Sequence, residues 1–376
     1  MSSSTEIQPF HIDIPQSELA DLRRRLAETR WPAELPGPAR SRGVPVEEIR
    51  ELARYWGSEF DWRAAERRLN EFPQYRTEID GVAVHFLHVR SADPDAIPLV
   101  LNHGWPNSVA EFTDLIGLLT EPEDPAAQAF HVVAPSVPGF GCSDAPRETG
   151  WTVERVASMW ARLMARLGYD RYLVQGGDLG SYVATALADA APEHVAGLYI
   201  TGGLGFPTEA DVPELTEAEH AAYTAMMAAD WVTGVDHHAL LRSAPQTFDF
   251  GWSDSPAAAL AWMWQKFHDF SAAGPLADAI DRDAFLTNLS IYWFTRSFGT
   301  SAWPYYDSTG FAWPRGSAAV PTGVYSGPPG VRRLAERTAK IVHWPADNPS
   351  GHHFIAMDRP DAYAADLRRF VAASSR

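Results

Sequence analysis

One seven-residue stretch constrains this chain more than any other: Gln175-Gly176-Gly177-Asp178-Leu179-Gly180-Ser181. It follows a short apolar run, Arg171–Gln175, and precedes a helical pattern over about Tyr182–Ala190. A strand, a tight turn and a helix, with small residues two places either side of a reactive side chain, form a nucleophile elbow. Gly176 and Gly180 permit the turn, which holds the central side chain strained and exposed. That side chain is aspartate, not serine. A carboxylate displaces a leaving group at an sp3 carbon and leaves an alkyl-enzyme ester, whose carbonyl water then attacks. Epoxides and alkyl halides suit such a nucleophile; ordinary carboxylic esters do not. An aspartate in a glycine turn or at a helix N-cap gives the same local sequence. The preceding strand and the partners described below favour the elbow.

The texture around this stretch predicts an α/β fold. Strand-like runs at Val82–Val89, Pro98–Asn102, Phe130–Ala134, Arg171–Gln175 and Leu198–Thr201 alternate with helical stretches. The helical stretches lie at about Val109–Leu119, Val153–Leu167 and Tyr182–Ala190. Such alternation implies a mostly parallel sheet flanked by helices on both faces. Residues 1–80 read as an extension of helices and loops without a strand. Leu19–Leu26 is helical with Ser17 as its cap, Pro32, Pro36 and Pro38 break the chain, and a second helix runs from about Val46 to Gly57. Residues 206–300 read as a helical cap rich in aromatics, among them Trp231, Trp252, Trp262, Trp264 and Trp293. Strand-like runs return at Ala319–Tyr325 and Ile341–Trp344, and a helix from Pro360 closes the chain. The core is therefore expected at 81–205 and 301–376, with the cap inserted after the sixth or so strand. The loop Gly327-Pro328-Pro329-Gly330 is expected to line the site at a strand end.

Composition narrows the function. Lys and Arg number 31 against 48 Asp and Glu, a net charge of −17 over 376 residues. So acidic a surface argues against nucleic-acid binding and against docking on anionic membranes. Cys142 is the single cysteine, which excludes an internal disulfide and a cysteine-based zinc site and suits a reducing compartment such as the cytoplasm. Residues 1–6 lack the basic start and apolar core of a signal peptide. No run of about 18 uncharged apolar residues predicts a transmembrane helix. The reading calls for a small-molecule substrate and for no cofactor or metal. It says little about oligomeric state and is compatible with a homodimer.

Two further motifs complete a reaction centre. Asn102-His103-Gly104-Trp105-Pro106 closes a strand 75 residues before Asp178. In α/β-hydrolases this loop supplies one backbone N–H of the oxyanion hole, and the residue after the nucleophile supplies the other. Those residues are Trp105 and Leu179. Ser350-Gly351-His352-His353-Phe354 follows the last strand-like run, where the fold places the histidine that activates water. The residues themselves leave His352 and His353 both open.

With these motifs the chain resembles the microsomal-type epoxide hydrolases, including their soluble bacterial members, over nearly its whole length. The N-terminal resemblance rests on Gln8-Pro9-Phe10-His11-Ile12-Asp13-Ile14-Pro15, Leu26-Ala27-Glu28-Thr29-Arg30-Trp31-Pro32, Phe60-Asp61-Trp62-Arg63, Leu69-Asn70-Glu71-Phe72-Pro73 and Ile79-Asp80-Gly81. His103-Gly104-Trp105-Pro106, Gly176-Gly177-Asp178, Asp254-Ser255-Pro256 and Gly351-x-His353-Phe354 carry it further. The resemblance implies the α/β-hydrolase fold, Asp178 as nucleophile and His353 as base. It also implies cap tyrosines that protonate the epoxide oxygen, a task open to a phenol. Ser301-Ala302-Trp303-Pro304-Tyr305-Tyr306 resembles the segment of the second such tyrosine and marks Tyr306.

The chain departs from the family pattern at telling positions. The acid that orients the base histidine aligns with Gly330, and the alternative acid position, Ile200-Thr201-Gly202-Gly203, also lacks a carboxylate. Asp347, Glu336 and Asp307 are the substitutes on offer. The first cap tyrosine aligns with His237, which can donate to an oxygen as an imidazole; His237 and His238 also read as ordinary helix-surface residues. Pro304 stands for an arginine and Leu179 for a tryptophan. The expectation is an epoxide hydrolase for a bulky apolar or aromatic epoxide. The alternatives are a specialised natural-product enzyme that opens or rearranges its epoxide, a haloalkane dehalogenase, and a binding protein that has lost catalysis.

Overall fold

The structure, a computed structural model, describes residues 6–38, 40–228, 236–270, 276–307, 313–325, 330–349 and 351–374. Trp231, Gly327-Pro328-Pro329 and Ser350 lie outside them. Among the described residues nine strands form one sheet: β1 (Gln8–Pro9), β2 (Gln74–Ile79), β3 (Val82–Val89), β4 (Ile97–Asn102), β5 (Phe130–Pro135), β6 (Tyr172–Gly176), β7 (Val195–Ile200), β8 (Pro321–Val324) and β9 (Lys340–His343). Their order is β1-β2-β3-β5-β4-β6-β7-β8-β9. From β5 to β9 every pairing is parallel, whereas β1 to β3 and the β3–β5 pairing are antiparallel. The central strands are apolar because helices cover both faces: Leu99, Val100 and Leu101 of β4 and all of β5 are buried.

The extension departs from its predicted form in contributing β1 and β2 to the sheet. The missed signal is Asp80-Gly81 between two alternating runs, with φ of +53° and +77°, the conformation of a two-residue hairpin turn. Its register pairs Ile79 with Val82. Ser17 also proves to lie inside a helix, Gln16–Ala27, that opens after Pro15 without a side-chain cap. The cap follows the seventh strand in sequence, since β1 and β2 precede the five strands legible before it.

The extension braces the cap. The Trp264 indole N–H donates to Glu48 at 2.6 Å, the Trp56 indole N–H to the Ser290 hydroxyl at 2.9 Å, and the Tyr55 hydroxyl to Asp283 at 2.9 Å. Glu48, Tyr55 and Trp56 belong to the helix Val46–Ser58, and their partners to cap helices Pro256–Asp269 and Arg282–Thr295. The cap is thereby fixed over the carboxyl ends of β4 and β6, where a ligand site is expected in such a sheet. No helix among the described residues is long and apolar enough to cross a membrane.

Candidate active site

Asp178 sits between β6 and the helix Leu179–Ala190 with φ +52° and ψ −129°. A non-glycine residue adopts this backbone only where its surroundings over-determine it. Here the turn is so tight that a Cβ on Gly176 would collide with the Gly180 carbonyl. The strained turn lifts the carboxylate away from the sheet and onto the helix N-terminus, whose N–H groups favour negative charge. Oδ1 accepts the backbone N–H of Trp105 at 2.8 Å and of Leu179 at 2.7 Å. The two residues expected to form the oxyanion hole thus converge on one oxygen. Oδ2 lies 3.3 Å from His353 Nε2. Burial pushes the Asp178 carboxyl upward, but His353 and the two N–H groups outweigh it and hold it below the usual carboxylate value. Asp178 is accordingly ionised near neutral pH, as a nucleophile must be.

The loop that carries Trp105 is pinned from both sides. Asn102 Nδ2 donates to the Gln175 carbonyl at 2.7 Å and joins β4 to β6. From the cap helix Arg282–Thr295, Asn288 Nδ2 donates to the Pro106 carbonyl and the Tyr292 hydroxyl to the Asn107 carbonyl, both at 2.8 Å. His103, fully buried and pushed down to about 4 by burial, accepts the Val137 N–H through Nε2 at 3.1 Å. It is a structural member of the loop rather than a base.

The two adjacent histidines point in different directions. His352 is buried, with Nε2 2.8 Å from the Phe267 carbonyl, and burial pushes it down to about 4. His353 faces Asp178, its ring packed by Phe270 and Phe354 at centroid distances of 5.0 and 4.9 Å. Among the described residues, Asp178 is the one carboxylate within 4.0 Å of a His353 ring nitrogen. Each substitute acid is engaged elsewhere: Asp347 with Arg369, Glu336 with Arg332, and Asp307 with the Trp151 N–H.

On the cap side the two adjacent tyrosines face different ways. Tyr306 is 41% exposed. Its neighbour Tyr305 is turned inward, 5.5 Å ring to ring from Trp105 and 5.8 Å from His237. The short helix Trp303–Tyr306 can present only one of two adjacent side chains to the site, and the doubled tyrosine hid which. His237 is buried and stacks on Trp105 with centroids 5.2 Å apart and planes 9° apart. Burial, then His238 and Lys266, hold it well below the ordinary histidine value, so it is neutral and carries one N–H. Tyr305 is held well above the ordinary phenol value by burial first and by the Asp178 charge next, and it keeps its proton. Trp262 and Phe270 join Trp105 and His237 in this aromatic wall. Sequence reading missed their place here, because nothing in a helical run distinguishes a site-facing ring from a core one.

Proteins of known family share this fold. The family model for the epoxide hydrolase N terminus matches residues 7–112, and that for the alpha/beta hydrolase fold matches residues 97–284. The candidate epoxide hydrolase of Stigmatella aurantiaca is 41% identical over 371 residues, covering 96% of this chain and 84% of that protein. The chain belongs to the epoxide hydrolases of the α/β-hydrolase superfamily. This epoxide hydrolase is also 29% identical to epoxide hydrolase 1 of Oryctolagus cuniculus over 412 residues, which cover 98% and 90% of the two chains. The Aspergillus niger epoxide hydrolase structure superposes with a TM-score of 0.85 at 30% identity over 99% of this chain and 97% of that one. The juvenile hormone epoxide hydrolase of Bombyx mori gives 0.84 at 28% identity, covering 99% and 95%.

Proposed function

We propose that this epoxide hydrolase opens bulky apolar or aromatic epoxides through a covalent ester on Asp178. The observation that carries the reading is the division of labour on one carboxylate: Oδ1 is gripped by two backbone N–H groups while Oδ2 faces His353. In the first step Oδ2 attacks an epoxide carbon, the ring C–O bond breaks, and the oxygen takes a proton from Tyr305. His237 offers a second donor. Esterification removes the Asp178 charge that helps to hold Tyr305 neutral, so the phenol becomes a better acid as the alkoxide develops. In the second step His353 takes a proton from water as the water oxygen attacks Cγ. The negative charge then collects on Oδ1, where the Trp105 and Leu179 N–H groups already point. Collapse releases the diol, and the surplus proton returns to Tyr305.

The aromatic wall supports an apolar or aromatic substituent on the epoxide. The test is incubation with a styrene-oxide-type epoxide, with a matched chloroalkane and the Asp178→Ala variant alongside. Diol formation by the native protein alone, without halide release, is expected. Halide release, or equal epoxide consumption by Asp178→Ala, would overturn the reading.

Tyr305 and Tyr306 separate cleanly by mutation. Tyr305→Phe is expected to slow ester formation by about 10²-fold, the loss typical of one general acid. Tyr306→Phe should stay within about twofold, as is usual for an exposed side chain away from the chemistry. Rapid-quench measurement of epoxide consumption checks both; the reverse order would restore Tyr306 as the donor.

A further inference from the structure

A cavity borders Asp178 and His353 on the side of the chain Gly104–Glu111. Glu111, Thr201 and Tyr363 are its polar walls, and about 10 Å³ of it is open to the centre of a water molecule. That is close to the room a single water needs, and a water held there also needs two or more polar partners. The walls supply them. Glu111 Oε2 and the Tyr363 hydroxyl are both buried; Glu111 Oε2 has no hydrogen-bond partner among the described residues, and the Tyr363 hydroxyl has Thr201 as its polar neighbour. Glu111 is 8% and Tyr363 1% exposed. A buried polar atom without a partner is costly, so Glu111 Oε2 beside a water-sized space, with the Tyr363 hydroxyl on the same space, marks a built site.

The two side chains come from distant segments. Glu111 lies in the 3-10 turn Val109–Phe112, beyond the oxyanion loop, and Tyr363 lies in the helix Pro360–Ser374. Burial, followed by the Asp178 charge, drives the Glu111 carboxyl well above its ordinary range, while the Gly104 backbone N–H pulls the other way. The shift favours the protonated, uncharged form of Glu111. It adds hydrogen-bonding capacity beside the nucleophile without adding repulsion.

We propose that Glu111 and Tyr363 are water-positioning residues for the second half-reaction, holding the water that attacks the Asp178 ester. This rests on the covalent reading above. The water oxygen bonds to Cγ while one of its hydrogens passes to His353 Nε2. Its second hydrogen is held by Glu111, and its spare lone pair by the Tyr363 hydroxyl. The carbonyl electron pair moves to Oδ1, and collapse breaks the Cγ–Oδ2 bond to release the diol oxygen, which takes the proton back from His353. Neither Glu111 nor Tyr363 changes its proton count. Among the described residues no second carboxylate lies within 4.0 Å of a His353 ring nitrogen, and orientation of the water supplies support that such an acid would otherwise give.

Single-turnover intact-mass kinetics on the full chain with a styrene-oxide-type epoxide tests this, because ester formation and ester loss are read separately. Glu111→Leu is expected to form the ester within about threefold of the native rate and to lose it about 10²-fold more slowly. Glu111→Gln keeps the hydrogen bond without the capacity for charge and should lose the ester within about tenfold of native. Tyr363→Phe should slow ester loss by about tenfold with formation unchanged. Ester loss at the native rate in Glu111→Leu would overturn the proposal, as would equal slowing of both steps. Glu111→Gln behaving as badly as Glu111→Leu would also overturn it, since a charge rather than a hydrogen bond would then be required. Should Glu111→Leu fail to fold by near-ultraviolet circular dichroism, Glu111→Gln and Tyr363→Phe decide by the same criteria. Absence of any adduct, in His353→Gln as well, would instead overturn the Asp178 ester and with it this proposal.

Discussion

Asp178→Ala is expected to abolish epoxide opening, with a loss on the order of 10⁴-fold or more, as when a covalent nucleophile is removed. No described neighbour is placed to take over. Burial favours the uncharged form of Glu111, and Asp178 is the one carboxylate among the described residues within 4.0 Å of a His353 ring nitrogen. The substitution should leave the fold standing. The constraint on the elbow comes from its glycines and from the strand and helix on either side, which hold the positive φ at 178 whatever its side chain, at a modest added cost for Ala. The lost contacts, Oδ1 to two N–H groups, face the site rather than the packed core. The variant should therefore melt near the native temperature while diol formation, followed by chromatography, falls to background. Diol formation at more than a hundredth of the native rate would remove Asp178 from the chemistry.

His353→Gln is expected to split the two half-reactions. Ester formation continues, because Oδ2 attacks without help from a base. Ester hydrolysis slows by about 10²–10⁴-fold, the range for losing a general base. The protein should therefore accumulate one substrate mass on the peptide that contains Asp178. The native enzyme should show a muted form of the same behaviour. No second carboxylate lies within 4.0 Å of the His353 ring among the described residues, so the imidazolium formed in the second step has little support. A burst of one epoxide consumed per chain, followed by a slower steady rate, is the expected native progress curve. The variant also predicts a pH effect of fixed sign. His353 is the strongest influence opposing the upward push of burial on Asp178. Without it the carboxyl rises, the ionised nucleophile is lost at a higher pH on acidification, and the acid limb of ester formation moves up. A downward shift, or no adduct, would contradict the assignment of His353.

The elements that sequence alone reveals here are those whose signal is local. Val82–Val89 is a strand to the residue, and the helix from Pro360 begins where expected. Asp178, Trp105 and Leu179 converge as anticipated because the elbow and the oxyanion loop are backbone devices written into a few consecutive glycines and their neighbours. What escaped depends on partners far along the chain. β1 is two residues long and exists because β2 offers it an edge. Tyr305 and Tyr306 differ only in which way a four-residue helix turns. Glu111 reads as an ordinary acidic residue in a helical stretch; its burial beside Tyr363, 252 positions away, is a consequence of the fold. The vacancy at Gly330 was visible in sequence, whereas the meeting of Glu111 and Tyr363 on one cavity beside Asp178 was not.

The central claim, a covalent Asp178 ester cleaved by water at its carbonyl, has one direct measurement. A single turnover in ¹⁸O-water, with enzyme in excess over a styrene-oxide-type epoxide, is followed by digestion and mass spectrometry of both the diol and the Asp178 peptide. Attack by Asp178 places a carboxylate oxygen in the diol and an oxygen from water in the carboxylate. The account predicts an unlabelled diol and one ¹⁸O in the Asp178 peptide. A labelled diol with an unlabelled peptide would mean that water opens the epoxide directly, and would contradict it.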